Sequence, residues 1–405
     1  MRKMEEELRQ LWFLDMEILE EKAYFSAGWF NGLVEANIKT GEAKIIAKFP
    51  QEKELVADLH AETLYVNDKL YFCPRSTNWL YIYDINKKEM KALDLPENEK
   101  YWEEREIKFG KILLRGKYLY LLPVNYNQVL RFDIESEEFT VYDDWFSDLK
   151  ELINYEEEMI KYKGFLFPYM VYEDVCVGFV RETNYVLVFD MKAGKFKFIE
   201  HQCGNVISVE KNDKDPIFIC EDGKAWRFCN QENKFIYVDT WEVNVKEIYN
   251  VFIKVNDICY FPSILKNGLM LYNVKTKEKI YIEFETDGKI YENSIGRKWM
   301  TPLLLIKYKN DSMYMLNQYN EVIIFDVKSK IYSTKRFMLN TSIRIDEEWK
   351  LERDVYSSKY GYYFPWDSAN LELLIKVVEN MENKSSMKEY VSIGQKILEN
   401  VKSNF

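Results

Sequence analysis

The sequence predicts an all-β fold built from repeated four-stranded antiparallel units. An asparagine stands six residues before an acidic residue in "NWLYIYD", "NQVLRFD", "NYVLVFD" and "NEVIIFD", which begin at Asn78, Asn127, Asn184 and Asn320. Each of these segments belongs to a longer window that recurs along the chain. Aromatic residues, which favour pleated strands, make up 16% of the sequence. The repetition therefore concerns whole structural units.

Windows of 21 residues align without a gap and begin at Glu17, Leu64, Leu113, Met170, Ile253, Ile306 and Tyr356. A weaker copy begins at Val209. The shared asparagine position is held by Asn31, Asn78, Asn127, Asn184, Asn267, Asn320 and Asn370, and by Gly223 in the weaker copy. Successive positions lie 39 to 57 residues apart, a period typical of solenoids, arrays and propellers.

Each unit has the pattern of an antiparallel meander. The segment "LYVNDKLYF" predicts two strands joined by a two-residue turn, and a short loop then leads to the asparagine and a third strand. A polar turn such as "NKKE" precedes the fourth strand. The third strands are apolar on both faces, as expected of units that pack face to face. Four-stranded units repeated about an axis form a β-propeller.

The repeated asparagine is predicted to be structural. Asn tolerates the left-handed backbone region and its side chain bonds to nearby backbone, and Gly223 meets the same backbone demand. The alternative is a ring of amides around a ligand. We favour the structural interpretation because a residue present in nearly every unit follows the fold, whereas functional sites break the symmetry.

The propeller is predicted to occupy residues 12–378, with eight blades favoured and seven as the alternative. An eight-bladed ring would close with a three-stranded last blade, because the N-terminal segment 1–11 has a helix-like pattern. Seven blades would require the weaker or the last unit to lie outside the ring. The units are expected near residues 12–50, 59–96, 105–145, 163–201, 204–239, 247–285, 302–339 and 353–378.

Two helices are predicted outside the repeats. Residues 145–162 carry Leu149 and Ile153 at helical spacing, so a helix is expected between the third and fourth units. The C-terminal tail, residues 379–405, has the pattern of an amphipathic helix. This tail either packs on its own domain or docks a partner.

The composition limits which partners and which cellular compartment are expected. The net charge of −11 disfavours nucleic acid, whose binding needs clustered Lys and Arg. The N-terminus has acids where a signal peptide needs an apolar stretch, and no apolar run approaches the ~18–20 residues of a membrane span. The six cysteines show no metal-ligand spacing. A cytoplasmic protein with no membrane partner is expected, and its oligomeric state stays open.

The third strand and its turn, "LYIYDINKKEMKAL", resemble half of a kelch repeat, and the resemblance runs from about Trp12 to about Val377. Where kelch repeats have paired glycines, this chain has "FCP", "LLP" or "YFP", in which proline ends the second strand by removing a donor. The chain is thus similar to kelch-like or WD40-like propellers at the level of the superfold. The resemblance implies a propeller that binds partners or small ligands on one face.

Candidate binding residues lie in loops that are expected to share one face of the propeller. Aromatic rings beside carboxylates suit a glycan, and they suit a protein or peptide anchor equally well. The alternative is that a tryptophan wedges between blades, which is the commoner role for any single Trp. The candidate residues are Trp102, Trp145, Trp241, Trp299, Trp349, Trp366, Arg75 and Arg181.

Catalytic signatures are weak. His60 and His201 are the only histidines, too few for a three-histidine metal site. His60 begins a first strand and is the better placed of the two to face the central channel. Acid pairs such as Glu103 and Glu104 point to opposite faces of a strand. No phosphate loop or nucleophile motif occurs, so no cofactor or metal is predicted.

The sequence therefore predicts a non-enzymatic binding or scaffold propeller that recognises a protein, a peptide or a glycan on its aromatic-rich loop face. The alternative is a carbohydrate-active enzyme, namely a lyase, an epimerase or a hydrolase, that uses carboxylates of the channel.

Overall fold

A computed structural model of the chain describes residues 7–28, 30–53, 56, 58–97, 107–152, 166–180, 183–211, 216–248, 251–285, 303–317 and 320–341. The chain divides into two compact units, Met1–Thr341 and Ser342–Phe405, and the second lies outside the described residues. The C-terminal helix predicted for residues 379–405 therefore also lies outside them. In the described part of the chain, no helix has both the length and the apolar character needed to span a membrane.

The strands follow one another mostly in groups of four. The chain begins with β1 (Glu7–Gln10), followed by β2 (Glu17–Leu19), β3 (Lys22–Ser26), β4 (Leu33–Asn37), β5 (Glu42–Ala47); β6 (His60–Val66), β7 (Lys69–Pro74), β8 (Trp79–Asp84), β9 (Glu89–Asp94); β10 (Phe109–Arg115), β11 (Tyr118–Pro123), β12 (Val129–Asp133) and β13 (Phe139–Tyr142). Next come β14 (Leu166–Tyr172), β15 (Val175–Val180), β16 (Tyr185–Asp190), β17 (Lys195–Glu200); β18 (Val206–Glu210), β19 (Ile217–Cys220), β20 (Lys224–Cys229) and β21 (Lys234–Thr240). The last are β22 (Val251–Val255), β23 (Ile258–Pro262), β24 (Gly268–Asn273), β25 (Lys279–Glu283); β26 (Leu303–Lys309), β27 (Ser312–Asn317), β28 (Glu321–Asp326), β29 (Tyr332–Arg336); and β30 (Met338–Thr341).

The all-β, propeller-like arrangement is confirmed, but the predicted blade count is wrong. The described strands form six sheets: four with four strands, one with six and one with eight. The eight-stranded sheet exists because β18 pairs in parallel with β22, through Val209↔Val251 and Glu210↔Phe252, so that two units share one sheet. The last predicted unit, 353–378, lies outside the described residues. Neither eight nor seven separate blades is therefore present among them.

The first strands of neighbouring units lie beside one another within Met1–Thr341. Neighbouring first strands contact one another from β2 to β6 and β10, and from β14 to β18, β22 and β26. Arg115 at the end of β10 donates from Nε to the Glu173 carbonyl after β14 at 2.8 Å. Lys307 and Lys309 of β26 reach Glu17 of β2. We call the space that these first strands enclose the central channel.

The N-terminal segment contains a strand where its sequence pattern indicates a helix. β1 pairs with β30 from Glu7↔Thr341 to Gln10↔Met338. β30 in turn pairs in parallel with β5. The pairing between strands from the two ends of the described chain outweighs the local helical pattern, because tertiary context overrides the weak propensity of a short segment.

The helix predicted between the third and fourth units is present as α1 (Asp144–Leu152). It buries Trp145, Phe146 and Leu149, and Asp144 in its first turn suits the positive end of the helix dipole. Residues 153–165, including Ile153, lie outside the described residues.

The core lies between neighbouring units. β8 buries Leu80, Tyr81, Ile82 and Tyr83 in succession, so both faces of this third strand are covered, as predicted. Leu80 and Ile82 pack toward the third unit, and the two tyrosines pack toward the first. Burial of each large apolar side chain contributes about 1.5–3 kcal/mol.

Candidate functional site

The described members of the predicted tryptophan rim are buried. Trp145 is 1% exposed and Trp241 is 2% exposed. Trp241 contacts the rings of Phe252, Phe261 and Tyr272 within the core of the eight-stranded sheet. Both positions therefore fit the wedge interpretation. The other candidates, Trp102, Trp299, Trp349, Trp366 and Arg181, lie outside the described residues.

His60 lies in the core between the first two units. Its Nδ1 is 3.0 Å from Ser26 Oγ, and its ring packs against Phe49, Phe72 and Tyr81. Burial lowers the pKa of His60 to about 3, so the imidazole is neutral at physiological pH. The structure does not place His60 with the charged groups of the channel.

Arg75 is half-buried in the loop after β7, where its backbone joins two units. Its N–H donates to the Leu59 carbonyl at 2.8 Å, and its carbonyl accepts the Lys108 N–H at 2.8 Å. These two main-chain hydrogen bonds thus fix the backbone position of Arg75.

The repeated asparagine position closes the outer hairpin of a unit. The carbonyls of Asn78, Asn184 and Asn267 accept N–H groups that follow the fourth strand, at 3.0, 2.7 and 2.9 Å. The carbonyl of Gly223 does the same at 2.8 Å, and Asn31 instead accepts through its side chain at 2.7 Å. Only Asn320 and Gly223 of the described set have a positive φ. The left-handed explanation is therefore wrong for Asn31, Asn78, Asn127, Asn184 and Asn267.

The acidic residue six positions later stabilises the other end of the same hairpin. Asp84 Oδ1 accepts the N–H groups of Asn86 at 3.1 Å and Lys87 at 2.9 Å. Asp133 Oδ1 likewise accepts two N–H groups of the turn that follows it. Asn273, which replaces the acid in its unit, does the same through its own Oδ1. The third strand runs from the residue after the Asn to the Asp, so the length of this strand sets the spacing between them.

Three charged residues of the channel occupy one repeat position. This position lies four residues before the last residue of the first strand, and in the first three units it is held by Asp15, Glu62 and Lys111. Asp15 Oδ2 accepts the N–H of Thr63 in the next unit at 2.8 Å, and Glu62 Oε2 accepts the N–H of Ile112 in the next unit at 3.0 Å. The acids therefore join neighbouring first strands, and Lys111 breaks the pattern with an ammonium.

β-Bulges recur beside these residues. The register of β10 shifts between Phe109 and Lys111, and the register of β26 shifts between Leu305 and Lys307. A further shift between His60 and Thr63 contains Glu62. A bulge turns the side chains that follow it, so strict alternation does not identify the channel-lining positions. These positions therefore do not stand out in the sequence, although aligning the first strands of the first three units shows a charge at the shared position.

Glu17 is held by two lysines. Its Oε2 lies 2.7 Å from Lys307 Nζ and its Oε1 lies 2.9 Å from Lys309 Nζ. Lys309 also donates to the Ile18 carbonyl at 2.6 Å. Burial favours the protonated acid, but Lys307 and Lys309 outweigh it and lower the pKa of Glu17 below its ordinary value. Glu17 is therefore an ionised residue that joins β26 to β2.

Asp15 has a different environment. Burial raises its pKa to about 6, Lys307 opposes this rise, and Glu62 adds to it. Burial lowers the pKa of Lys211, whereas Asp15 and Glu62 raise it. Charged groups of the first, second and fifth units thus influence one another's pKa values.

Exposed large apolar residues are concentrated on the two end strands of the eight-stranded sheet. On β21, Tyr237 is 48% exposed and Val238 is 42% exposed; on β25, Ile280 is 52% exposed and Tyr281 is 38% exposed. Leu265, in a loop of the β25 unit, is 60% exposed. No such concentration of exposed large apolar residues occurs elsewhere among the described residues.

No group of three or more His, Cys, Asp or Glu side chains in the described ranges is arranged to hold a metal ion. The channel acids act instead on backbone N–H groups and lysines.

No known protein family and no curated protein matches the chain. Similar solved structures include PorZ, a surface component of the type-IX secretion system of Porphyromonas gingivalis, with 11% identity, a TM-score of 0.47, and coverage of 84% of this chain and 40% of PorZ. Hsv2 of Kluyveromyces lactis has 10% identity and a TM-score of 0.46, over 80% of this chain and 97% of Hsv2. BamB of Moraxella catarrhalis has 11% identity and a TM-score of 0.44, over 75% of this chain and 81% of BamB. This chain spans less than half of the length of PorZ. The comparisons assign this chain to no family.

Proposed function

We propose that the protein is a non-enzymatic binding propeller that captures a protein partner at β25, one of the two end strands of the eight-stranded sheet. The observation that carries this proposal is the exposure of Tyr237, Val238, Ile280 and Tyr281 on its two outermost strands. Concentrated exposed apolar surface is typical of protein interaction sites.

The edge of β25 is suited to strand addition. β21 and β25 are the two ends of the sheet, and no further strand pairs with either of them in the described ranges. The corresponding edge of the first unit is covered, because β30 pairs with β5 through Met338↔Glu42 and Leu339↔Ala43. The molecule thus already uses an added strand at this position of a unit. We infer that the partner supplies an extended segment with apolar side chains to β25.

The other predicted ligands have less support. A glycan needs accessible aromatic faces, and the described rim tryptophans Trp145 and Trp241 offer none. The enzyme alternative is not favoured, because His60 is sealed in the core and Glu17 is neutralised by two lysines. Neither residue is placed to act as a general acid or base on a sugar.

The test is affinity capture from native lysate with wild type, Ile280→Asp and Ile331→Asp. Ile331 is 69% exposed and lies on another unit, so it is a matched control for a charge placed on exposed isoleucine. We expect a protein that co-purifies with wild type and with Ile331→Asp and is lost with Ile280→Asp. Hydrogen exchange should then show slower exchange of the β25 amides in the complex. Equal capture by all three proteins, or unchanged exchange at β25, would overturn the proposal.

A further inference from the structure

We propose that the partner at β25 is a second copy of this chain, whose own β25 pairs with it antiparallel about a two-fold axis at Tyr281. This inference rests on the proposed function, because it names the partner that β25 captures. In this register Lys279 lies opposite Glu283 of the second copy, and Ile280 lies opposite Ile282 of the second copy. The five residues of β25, "KIYIE", are thus complementary to themselves.

The free edge of β25 presents the backbone groups that this register needs. In an antiparallel pair, residues whose N–H and C=O both face the neighbouring strand alternate with residues whose groups face away. Phe284 N–H donates to the Asn267 carbonyl at 2.9 Å, and the pairing of β24 with β25 has no register shift. The even-numbered residues of β25 therefore bind β24, and Lys279, Tyr281 and Glu283 direct their backbone groups outward. No strand of the described ranges pairs with this edge.

The position of the two-fold axis agrees with this hydrogen-bonding pattern. Tyr281 faces outward, so it exchanges both backbone hydrogen bonds with Tyr281 of the second copy. Lys279 does the same with Glu283, and the isoleucines form the pairs without hydrogen bonds, in which side chains approach most closely. An interface of this kind uses the same surface on both copies and closes at a dimer, the commonest symmetric assembly.

The side chains match on both faces of the paired strands. Ile280 is 52% exposed in one copy, and Ile282 of the second copy covers it. On the other face, the Lys279 ammonium meets the Glu283 carboxylate, and opposite charges across a strand pair are stabilising. Within one chain, Lys279 Nζ lies 4.0 Å from Glu242 Oε2, too far for a hydrogen bond, so the ammonium is available to the second copy.

Among the described sheets, no other outer strand of a unit combines exposed apolar residues with complementary ends. β9 with its ends aligned places Glu89 opposite Asp94, and like charges oppose pairing. β17 has Lys195 and Glu200 at its ends but exposes none of its large apolar side chains. β13 and β29 carry no acid. β21 exposes Tyr237, but its pairing with β20 contains a register shift, and a bulge protects an edge from strand addition.

Sedimentation equilibrium of the purified full-length chain over a range of concentrations tests the proposal. We expect a reversible monomer–dimer equilibrium, which is weak because one pair of strands gives a small interface. Lys279→Glu and Glu283→Lys should each raise the dimer dissociation constant by roughly tenfold or more, because like charges then lie opposite one another. A mixture of these two variants should dimerise as wild type does, because each supplies the charge that the other needs.

Lys275→Glu is the matched control. Lys275 lies in the turn before β25, is 73% exposed and pairs with Asp257, so this substitution makes the same change of charge away from the strand. Its dimer dissociation constant should equal that of wild type. Dimerisation of the mixture also shows that both single variants are folded.

The proposal is overturned if wild type stays monomeric at every concentration, if either single variant dimerises as wild type does, or if their mixture stays monomeric. A monomer that still captures a different protein through Ile280 overturns the second copy as partner and leaves the proposed function standing. A monomer whose capture of proteins does not depend on Ile280 overturns both.

Discussion

Lys307 Nζ lies 2.7 Å from Glu17 Oε2 and so joins the first strand of the last described unit to the first strand of the first unit. The neighbouring Lys309 reaches the same carboxylate at 2.9 Å. A ring of repeats has one junction that chain connectivity does not provide. In this protein a buried ion pair and the β1–β30–β5 pairing provide it.

Glu17→Gln should reduce the free energy of unfolding by about 2–3 kcal/mol, because it leaves two partly buried lysines without a counter-charge. Urea denaturation monitored by tryptophan fluorescence measures this loss. Glu135→Gln is the control, since Glu135 is 70% exposed and pairs with the exposed Lys117, and surface pairs contribute at most about 1 kcal/mol. Equal losses in the two variants would show that ring closure does not depend on Glu17.

Asp15 should make stability depend on pH. Its pKa rises from 3.8 to about 6 on folding, so between these values the folded protein binds more protons than the unfolded chain. Its contribution to the free energy of unfolding is therefore largest at low pH and is lost as pH rises through that window. Relative to Asp15→Asn, wild type should lose about 2–3 kcal/mol between pH 4 and pH 7. The groups that act on Asp15 are Lys307, Glu62, Lys211 and the Thr63 amide.

Chemical denaturation of both proteins at several pH values measures this difference. The Asn side chain keeps an oxygen for the Thr63 N–H, so the comparison isolates the charge. A difference that does not change with pH would contradict the environment described for Asp15.

His60 should not titrate in the folded protein at ordinary pH. Its pKa falls from 6.5 to about 3, so its contribution to stability is complete above pH 6.5 and is lost as pH falls below that value. With only two histidines, proton NMR of the imidazole resonances gives a direct measurement, and His201→Gln assigns them. A His60 resonance that titrates near pH 6.5 in the native state would place this side chain in solvent.

Trp241→Ala should destabilise the protein by about 3–5 kcal/mol, because it removes a buried aromatic side chain and leaves a cavity. Tyr237→Ala, at a side chain that is 48% exposed, should cost less than about 1 kcal/mol. Thermal and urea unfolding of the two variants give the comparison. A Trp241→Ala protein with wild-type stability would return this residue to the set of accessible rim candidates.

The sequence determined the units and their strands by local rules. The turn Asn67–Asp68 has φ values of 48° and 61° at the position that "VNDK" predicts. Pro74 and Pro123 end β7 and β11 as the missing N–H requires. These features depend on residues close in the chain, so one copy of the repeat is enough to predict them.

Tertiary structure decided how the units close and what their centre contains. The parallel pairing of β18 with β22, the strand β1 and the contact from Lys307 to Glu17 all join residues far apart in sequence. The bulges before Lys111 and Lys307 break the alternation that assigns side chains to faces. A local pattern fixes each strand because backbone and turn preferences act over a few residues. The channel and the exposed edge of β25 depend on which units become neighbours, and no local preference specifies that.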